Sequence, residues 1–280
     1  MRATLSGPPM NPPTRLNEIL ACPACRTALP FTNRRLECRQ CGGTYAVQDG
    51  VPVFLPEAPD EAKDHISNAI GGDFDALLRA GKDFILHIGA GGSPMRYPNC
   101  VEFEHKIFRH TDVVGDAHHL PFRDGVFDRV FALNVFEHLS DPKTAATEIF
   151  RVLKPGGSVA IHTAFLQALH EEPHHYYNAT EFGVREWFSG FEIDTLQVTG
   201  NFGPGVMLAF LSANIMGSAQ VAGMSLKEQM QLSGTTVGEW SEFWAGKLGE
   251  PPGFAALQAM PQEVQKRIAG GFELIARKPR

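Results

Sequence analysis

The stretch FILHIGAGGSP, residues 84–94, sets an apolar run against three glycines in four positions. Phe84 to Ile88 reads as a buried parallel strand, being apolar, partly β-branched and bounded by turn residues. Glycine placed directly after such a strand either permits a positive φ or lets a ligand approach the main chain. A glycine-rich turn alone is weak evidence, because most such turns merely connect elements. If this one cradles a nucleoside, an acidic residue should close the next strand and hold the ribose hydroxyls.

The chain supplies that acid. Cys100-Val101-Glu102-Phe103-Glu104 is strand-like, and keeping Val101 and Phe103 buried leaves Glu104 at the crevice, with Glu102 as the fallback. A third strand, Asp112 to Gly115, ends at Asp116-Ala117-His118, where a carboxylate can accept from an adenine amino group and a backbone N–H can serve a ring nitrogen. A fourth strand, Asp128 to Leu133, runs into Asn134. Asp141-Pro142 then starts a helix to about Leu153, which Lys154-Pro155-Gly156-Gly157 ends before a fifth strand from Ser158 to Thr163. Strands with ligand-facing groups at each carboxyl end predict a doubly wound α/β sheet with a crevice at its switch point.

GDAHHLPFRDGVFDRVFALNVFEHLSDP followed by EIFRVLKPGGSVAI resembles the class I S-adenosylmethionine (SAM)-dependent methyltransferases, in the branch of ubiquinone-type and small-molecule enzymes. The resemblance covers about residues 83 to 200 and implies a Rossmann-like, seven-stranded sheet. It also implies SAM contacts from His87, Gly89, Ala90, Gly91, Glu104, Asp116, Ala117, His118 and Asn134. Three departures stand out. His87 replaces the acid usual two positions before the first loop glycine. Gly92-Ser93-Pro94 lacks the third glycine. Glu104 follows Gly89 by only fifteen positions, where about twenty are usual, so the first crossover helix should shrink to a turn.

CPACRTALPFTNRRLECRQC pairs Cys22 with Cys25 and Cys38 with Cys41 in two C-x-x-C knuckles. Two knuckles supply the four soft ligands of a closed zinc site, which leaves no open position and is therefore structural. Cys100 reads as a buried small hydrophobe. With the tail TYAVQDGVPVFL, residues 16 to 56 resemble the zinc-ribbon activating subunits of tRNA and protein methyltransferases. That resemblance implies an accessory module beside a methyltransferase. The domains expected are an N-terminal arm lacking fixed structure (1–15), a ribbon (16–60), a SAM-binding core (61–200), a helical insert (201–270) and a closing strand of the core (271–280).

The 280 residues are 43% hydrophobic and 20% charged, with net charge -6 and pI about 6.0, so no global basic field invites nucleic acid or an anionic membrane. The N-terminus lacks the apolar core of a signal peptide, and the reading is cytoplasmic. Val206 to Met224 reads as a mostly buried helix and not as a membrane span. A sixth strand is expected from Phe191 to Val198 and the last from Phe272 to Arg277, with helices over Ser225–Leu232, Val237–Leu248 and Phe254–Ala269 between them. Those helices suit a cap over the crevice or the seam of a homodimer. The loop AFLQALHEEPHHYYNAT is the natural acceptor wall, and a hydroxyl acceptor wants a general base there: His174 first, then His170, with His138 after the fourth strand. The function expected is SAM-dependent O-methylation of a small molecule or a saccharide or lipid intermediate. The alternatives are an RNA methyltransferase using Arg26, Arg34, Arg35 and Arg39 of the ribbon, and a non-catalytic scaffold.

Overall fold

The structure, a computed structural model, describes residues 16–32, 34–57, 59–62, 66 and 70–270. The expected N-terminal arm and the closing strand from Phe272 lie outside the described residues. The chain forms two compact units. One comprises residues 1–164 and 179–194, the other 165–178 and 195–280.

The first unit is built on one sheet. Its strands are β1 (Arg35–Glu37), β2 (Thr44–Gln48), β3 (Val51–Val53), β4 (Ile85–Ile88), β5 (Cys100–Glu104), β6 (Val113–Val114), β7 (Phe127–Leu133) and β8 (Leu153–His162). Their spatial order is β1-β2-β3-β6-β5-β4-β7-β8. The last five are parallel, and the order reverses about β4, the switch point at which doubly wound sheets place ligands. Among the described residues eight strands therefore stand where seven were expected, three of them from the ribbon. β1, β2 and β3 pair antiparallel, and β3 then joins β6 in parallel through Val53 and Val114, with Phe54 N–H donating to the Val114 carbonyl at 2.8 Å.

The ribbon is thus continuous with the sheet. Leu16, Leu20, Cys22, Leu29 and Leu36 share one buried cluster with Val101, Phe103, Phe122 and Phe127. The same cluster takes Ala145, Ala146, Ile149 and Val152 from α3 (Pro142–Val152), which Asp141 caps by accepting from Thr144 N–H. α1 (Leu16–Ile19) buries Leu16 and Ile19 there. On the opposite face α2 (Gly72–Ala80) covers Ile85, Cys100 and Phe131 with Leu78. No helix separates β4 from β5 or β5 from β6, as the short spacing requires. β8 begins at Leu153, earlier than expected, with a register break where Lys154 to Gly157 bulges out.

α4 (Glu181–Trp187) follows, but no strand forms over Phe191–Val198. Ile193, Leu196 and Val198 stay exposed. The second unit carries α5 (Pro204–Val221), α6 (Leu226–Gly234), α7 (Val237–Trp244), α8 (Phe254–Gln258) and α9 (Gln262–Gln265). α6 and α7 each start on a capping box, Ser225 with Glu228 and Thr236 with Glu239. Contrary to expectation, α5 buries only Ala219 along its length, while Val206, Leu208, Phe210 and Val221 are exposed; α6, α9 and the 3-10 turn Gly200–Phe202 pack along it. Among the described residues no helix is long and apolar enough to cross a membrane.

Candidate functional site

The glycine loop leaves β4 between its two neighbours. Gly89 and Gly91 take φ of 68° and 62°, conformations that side chains strain to adopt. A Cβ on Gly89 would lie 2.3 Å from a methyl of Val135, so here the close approach is made by a side chain of the protein itself. Nothing in the local sequence marks Val135 for that role. Gly91 N–H donates to Glu104 Oε1 at 2.6 Å, and Glu104 Oε2 accepts from His105 N–H at 3.0 Å. Loop and acid therefore meet at the carboxyl ends of adjacent parallel strands. Glu102 lies deeper in β5 and faces the same side.

His87 pairs in register with Glu102 and is 3% exposed. Burial pushes its pKa down to about 4 against a small opposing pull from Glu104, so the ring is neutral at pH 7. Ala90 is buried beside the loop.

Asp116 opens the turn after β6 and caps the short 3-10 helix Ala117–His119 by accepting from His118 N–H at 2.9 Å. His118 Nδ1 lies 2.5 Å from the same carboxylate. Burial would raise the Asp116 pKa, but these two hydrogen bonds outweigh it and hold the acid at about 2. The Asp116 bond pulls the His118 pKa up. Asp141 N–H donates to His118 Nε2 at 3.1 Å, which selects the neutral tautomer with its proton on Nδ1. His118 thus ties the acid to the N-terminus of α3, a link that the sequence does not signal. Asn134 takes a left-handed φ of 57° after β7, and its N–H donates to the His162 carbonyl of β8.

The four ribbon cysteines converge as expected. Their Sγ atoms all lie within 4.8 Å of one another, with Cys22–Cys41 at 3.6 Å and Cys25–Cys38 at 3.4 Å. A tetrahedron of Zn–S bonds about 2.3 Å long has edges of about 3.8 Å, so the donor set fits zinc. The two knuckles repeat one geometry: Arg26 N–H donates to the Cys22 carbonyl and Gly42 N–H to the Cys38 carbonyl, with φ of 63° and 73°. The Thr27 hydroxyl and amide hold the Cys25 thiol down to about 6. The Tyr45 hydroxyl lies 3.0 Å from Cys22 Sγ. Cys100 is buried on β5, and burial drives its thiol well up.

Of the proposed bases, His138 lies in the sheet unit, its N–H on the Val135 carbonyl. His170 and His174 belong to the helical unit. There the His170 and His175 rings lie tilted against each other with centroids 4.3 Å apart, and His174 Nδ1 lies 3.3 Å from the Tyr176 hydroxyl.

Residues 97–161 match the methyltransferase domain family and residues 14–50 the Trm112p-like protein family. The chain is 45% identical over 53 residues to the O-methyltransferase rstn1 of Aspergillus nomiae, covering 19% of this chain and 24% of that protein. It is 35% identical over 97 residues to the malonyl-[acyl-carrier protein] O-methyltransferase of Geobacter sulfurreducens, covering 27% and 36%. It therefore spans well under half of either relative. A solved complex between the Haloferax volcanii Trm112 methyltransferase activator and a methyltransferase aligns at 20% identity and a TM-score of 0.29, over 43% of this chain and 76% of that one. In this chain a Trm112p-like zinc-ribbon domain and a methyltransferase domain of the SAM-binding fold share a single sheet.

Proposed function

We propose that this chain transfers a methyl group from SAM to a small-molecule acceptor, most simply to a hydroxyl oxygen. The observation that carries the reading is the meeting of Gly91 N–H with Glu104 at the switch point of the sheet, one strand from Asp116. Glu104 would take the ribose hydroxyls, Asp116 and the Ala117 backbone the adenine, and Asn134 the amino-acid end. His118 would hold Asp116 ionised and aimed. Methyl transfer from a sulfonium is an in-line displacement, so alignment does most of the work. When bound, SAM supplies the electrophilic carbon. The protein would contribute fixed acceptors for the cofactor and a base for the acceptor proton. His174, His170 and His138 are the proposed bases. The O-methyltransferase names among the relatives agree with an oxygen acceptor. Zinc in the ribbon would be structural, because four thiolates close its coordination.

The RNA reading has less support. Two of the arginines proposed for RNA are engaged within the protein, Arg26 with Glu148 and Arg35 with the Thr44 hydroxyl.

Calorimetric titration of S-adenosylhomocysteine into zinc-loaded wild type and Glu104→Ala tests the reading. Micromolar binding that the variant loses is expected. No binding by folded wild type would leave a scaffold, and the three histidine-to-alanine variants would then have no rate to lower.

A further inference from the structure

The four ribbon cysteines are not equally placed for water. Cys22 and Cys38 are buried, Cys25 is half-buried and Cys41 is exposed. A zinc ion held by four thiolates leaves excess negative charge on the sulfurs, and hydrogen bonds donated to them spread it. An exposed sulfur takes such bonds from water, whereas a buried one depends on the protein. The knuckle turns supply some from the main chain: the Ala24 and Cys25 amides face Cys22, the Thr27 amide faces Cys25 and the Gly43 amide faces Cys41. Thr27, two residues past Cys25, adds its hydroxyl at 3.4 Å from that sulfur.

A side chain from outside the knuckles joins them. Tyr45, on β2, places its hydroxyl 3.0 Å from Cys22 Sγ. Its ring lies against Phe54 with centroids 4.8 Å apart, and both rings pack on the buried cluster that runs from the ribbon into the sheet. The packed ring therefore aims the hydroxyl. Gly43 makes room for it. A Cβ there would come 3.0 Å from the Tyr45 hydroxyl and 3.4 Å from Cys41 Sγ, while the Gly43 backbone lies outside the left-handed region. Glycine at this position thus answers to a close approach and not to backbone conformation.

We propose that Tyr45 is a positioning residue of the zinc site, which donates a hydrogen bond to the Cys22 thiolate and sets how tightly the ribbon keeps its metal. The inference rests on the zinc reading of the four cysteines. A metal-bound cysteine has given up its proton, so its sulfur can only accept, and the tyrosine hydroxyl has one proton to offer. The direction of the bond follows. Cys22 is sealed from solvent, so no water replaces the hydroxyl when it is removed. Its sulfur is then left more electron-rich.

The test uses the full chain, loaded with zinc for competition against a chromophoric chelator and with cobalt(II) for spectroscopy. Tyr45→Phe removes one oxygen and keeps the ring on Phe54. It should hold zinc about 10–100-fold more weakly. Its sulfur-to-cobalt charge-transfer band should move to lower energy, because a thiolate with one donor fewer gives up an electron more readily. The ligand-field bands, which report the tetrahedron, should stay in place. A role in packing alone would leave the charge-transfer band unmoved or shift both sets together, and either result overturns the proposal. Zinc affinity equal to that of wild type overturns it as well. Gly43→Ala, with Tyr45 intact, should shift the charge-transfer band the same way by less, and should add nothing in the Tyr45→Phe background. That variant decides the matter if Tyr45→Phe does not fold, since an unmoved band then counts against the hydroxyl. A folded wild type that takes up neither metal removes the zinc reading and the proposal together.

Discussion

Arg26, in the first zinc knuckle, donates to Glu148 of α3 across 3.1 Å. Glu148 is buried and also takes two hydrogen bonds from Arg151 and one from Leu120 N–H. Arg151 donates onward to the Leu120 and Phe122 carbonyls and to Asp124. The metal knuckle, α3 and the loop after Asp116 are thereby joined through one carboxylate.

The two arginines should differ in what their removal does. Arg26 is more than half exposed, so Arg26→Met should cost about 1 kcal/mol or less. Arg151→Met strips Glu148 of its buried partner and should cost about 3–5 kcal/mol. Urea unfolding of both variants checks this, and equal costs would contradict the geometry.

Zinc removal should weaken the sheet as well as the ribbon. Leu20 bridges to Phe122, Ala21 N–H donates to the Pro121 carbonyl, and β3 is paired with β6. Chelation, or Cys38→Ser, is expected to lower the melting temperature of the whole sheet unit in one transition. A separate low-temperature ribbon transition beside an unchanged main one would show the two to be independent.

Gly89→Ala should destabilise by about 2–4 kcal/mol, from the positive φ together with the clash against Val135. Val135→Ala in the same chain should recover the packing part and leave only the backbone part. Denaturant midpoints of the single and double variants read this out. Additive losses would mean that Val135 is not the obstacle.

Stability should fall at both ends of the pH scale for separable reasons. The folded pKa values of His87 and Asp116 are depressed, to about 4 and about 2. Their contributions are present above the unfolded values and lost as pH falls, through 6.5 to 4 for His87 and below about 4 for Asp116. Glu102 is raised to about 8, so its contribution is whole below about 4.5 and lost as pH rises through 8. Glu102→Gln should therefore flatten the alkaline limb only, gaining about 1–3 kcal/mol on wild type between pH 6 and pH 9. Parallel wild-type and variant curves over that range would contradict this assignment.

The parallel strands were legible in the sequence because buried strands read as apolar runs, and the knuckles because C-x-x-C spacing is local. The missing crossover helices followed from counting residues between Gly89 and Glu104. The pairing of Val53 with Val114 was not legible, since nothing in either segment names the other. Phe191 to Val198 misled: the segment forms no strand, and Ile193, Leu196 and Val198 stay exposed. Glu102 also read ambiguously. Alternation puts it on the side of Glu104, but only the fold of residues 89–97 over that side makes it buried.

The join between β3 and β6 bears on supply and stoichiometry. An edge strand with open backbone groups invites any compatible strand in its surroundings. Here the nearest candidate is carried on the same chain, at an effective concentration far above that of a separate protein. Ribbon and sheet are made in a one-to-one ratio and need not find each other. A free ribbon subunit added to this protein would meet an edge already paired.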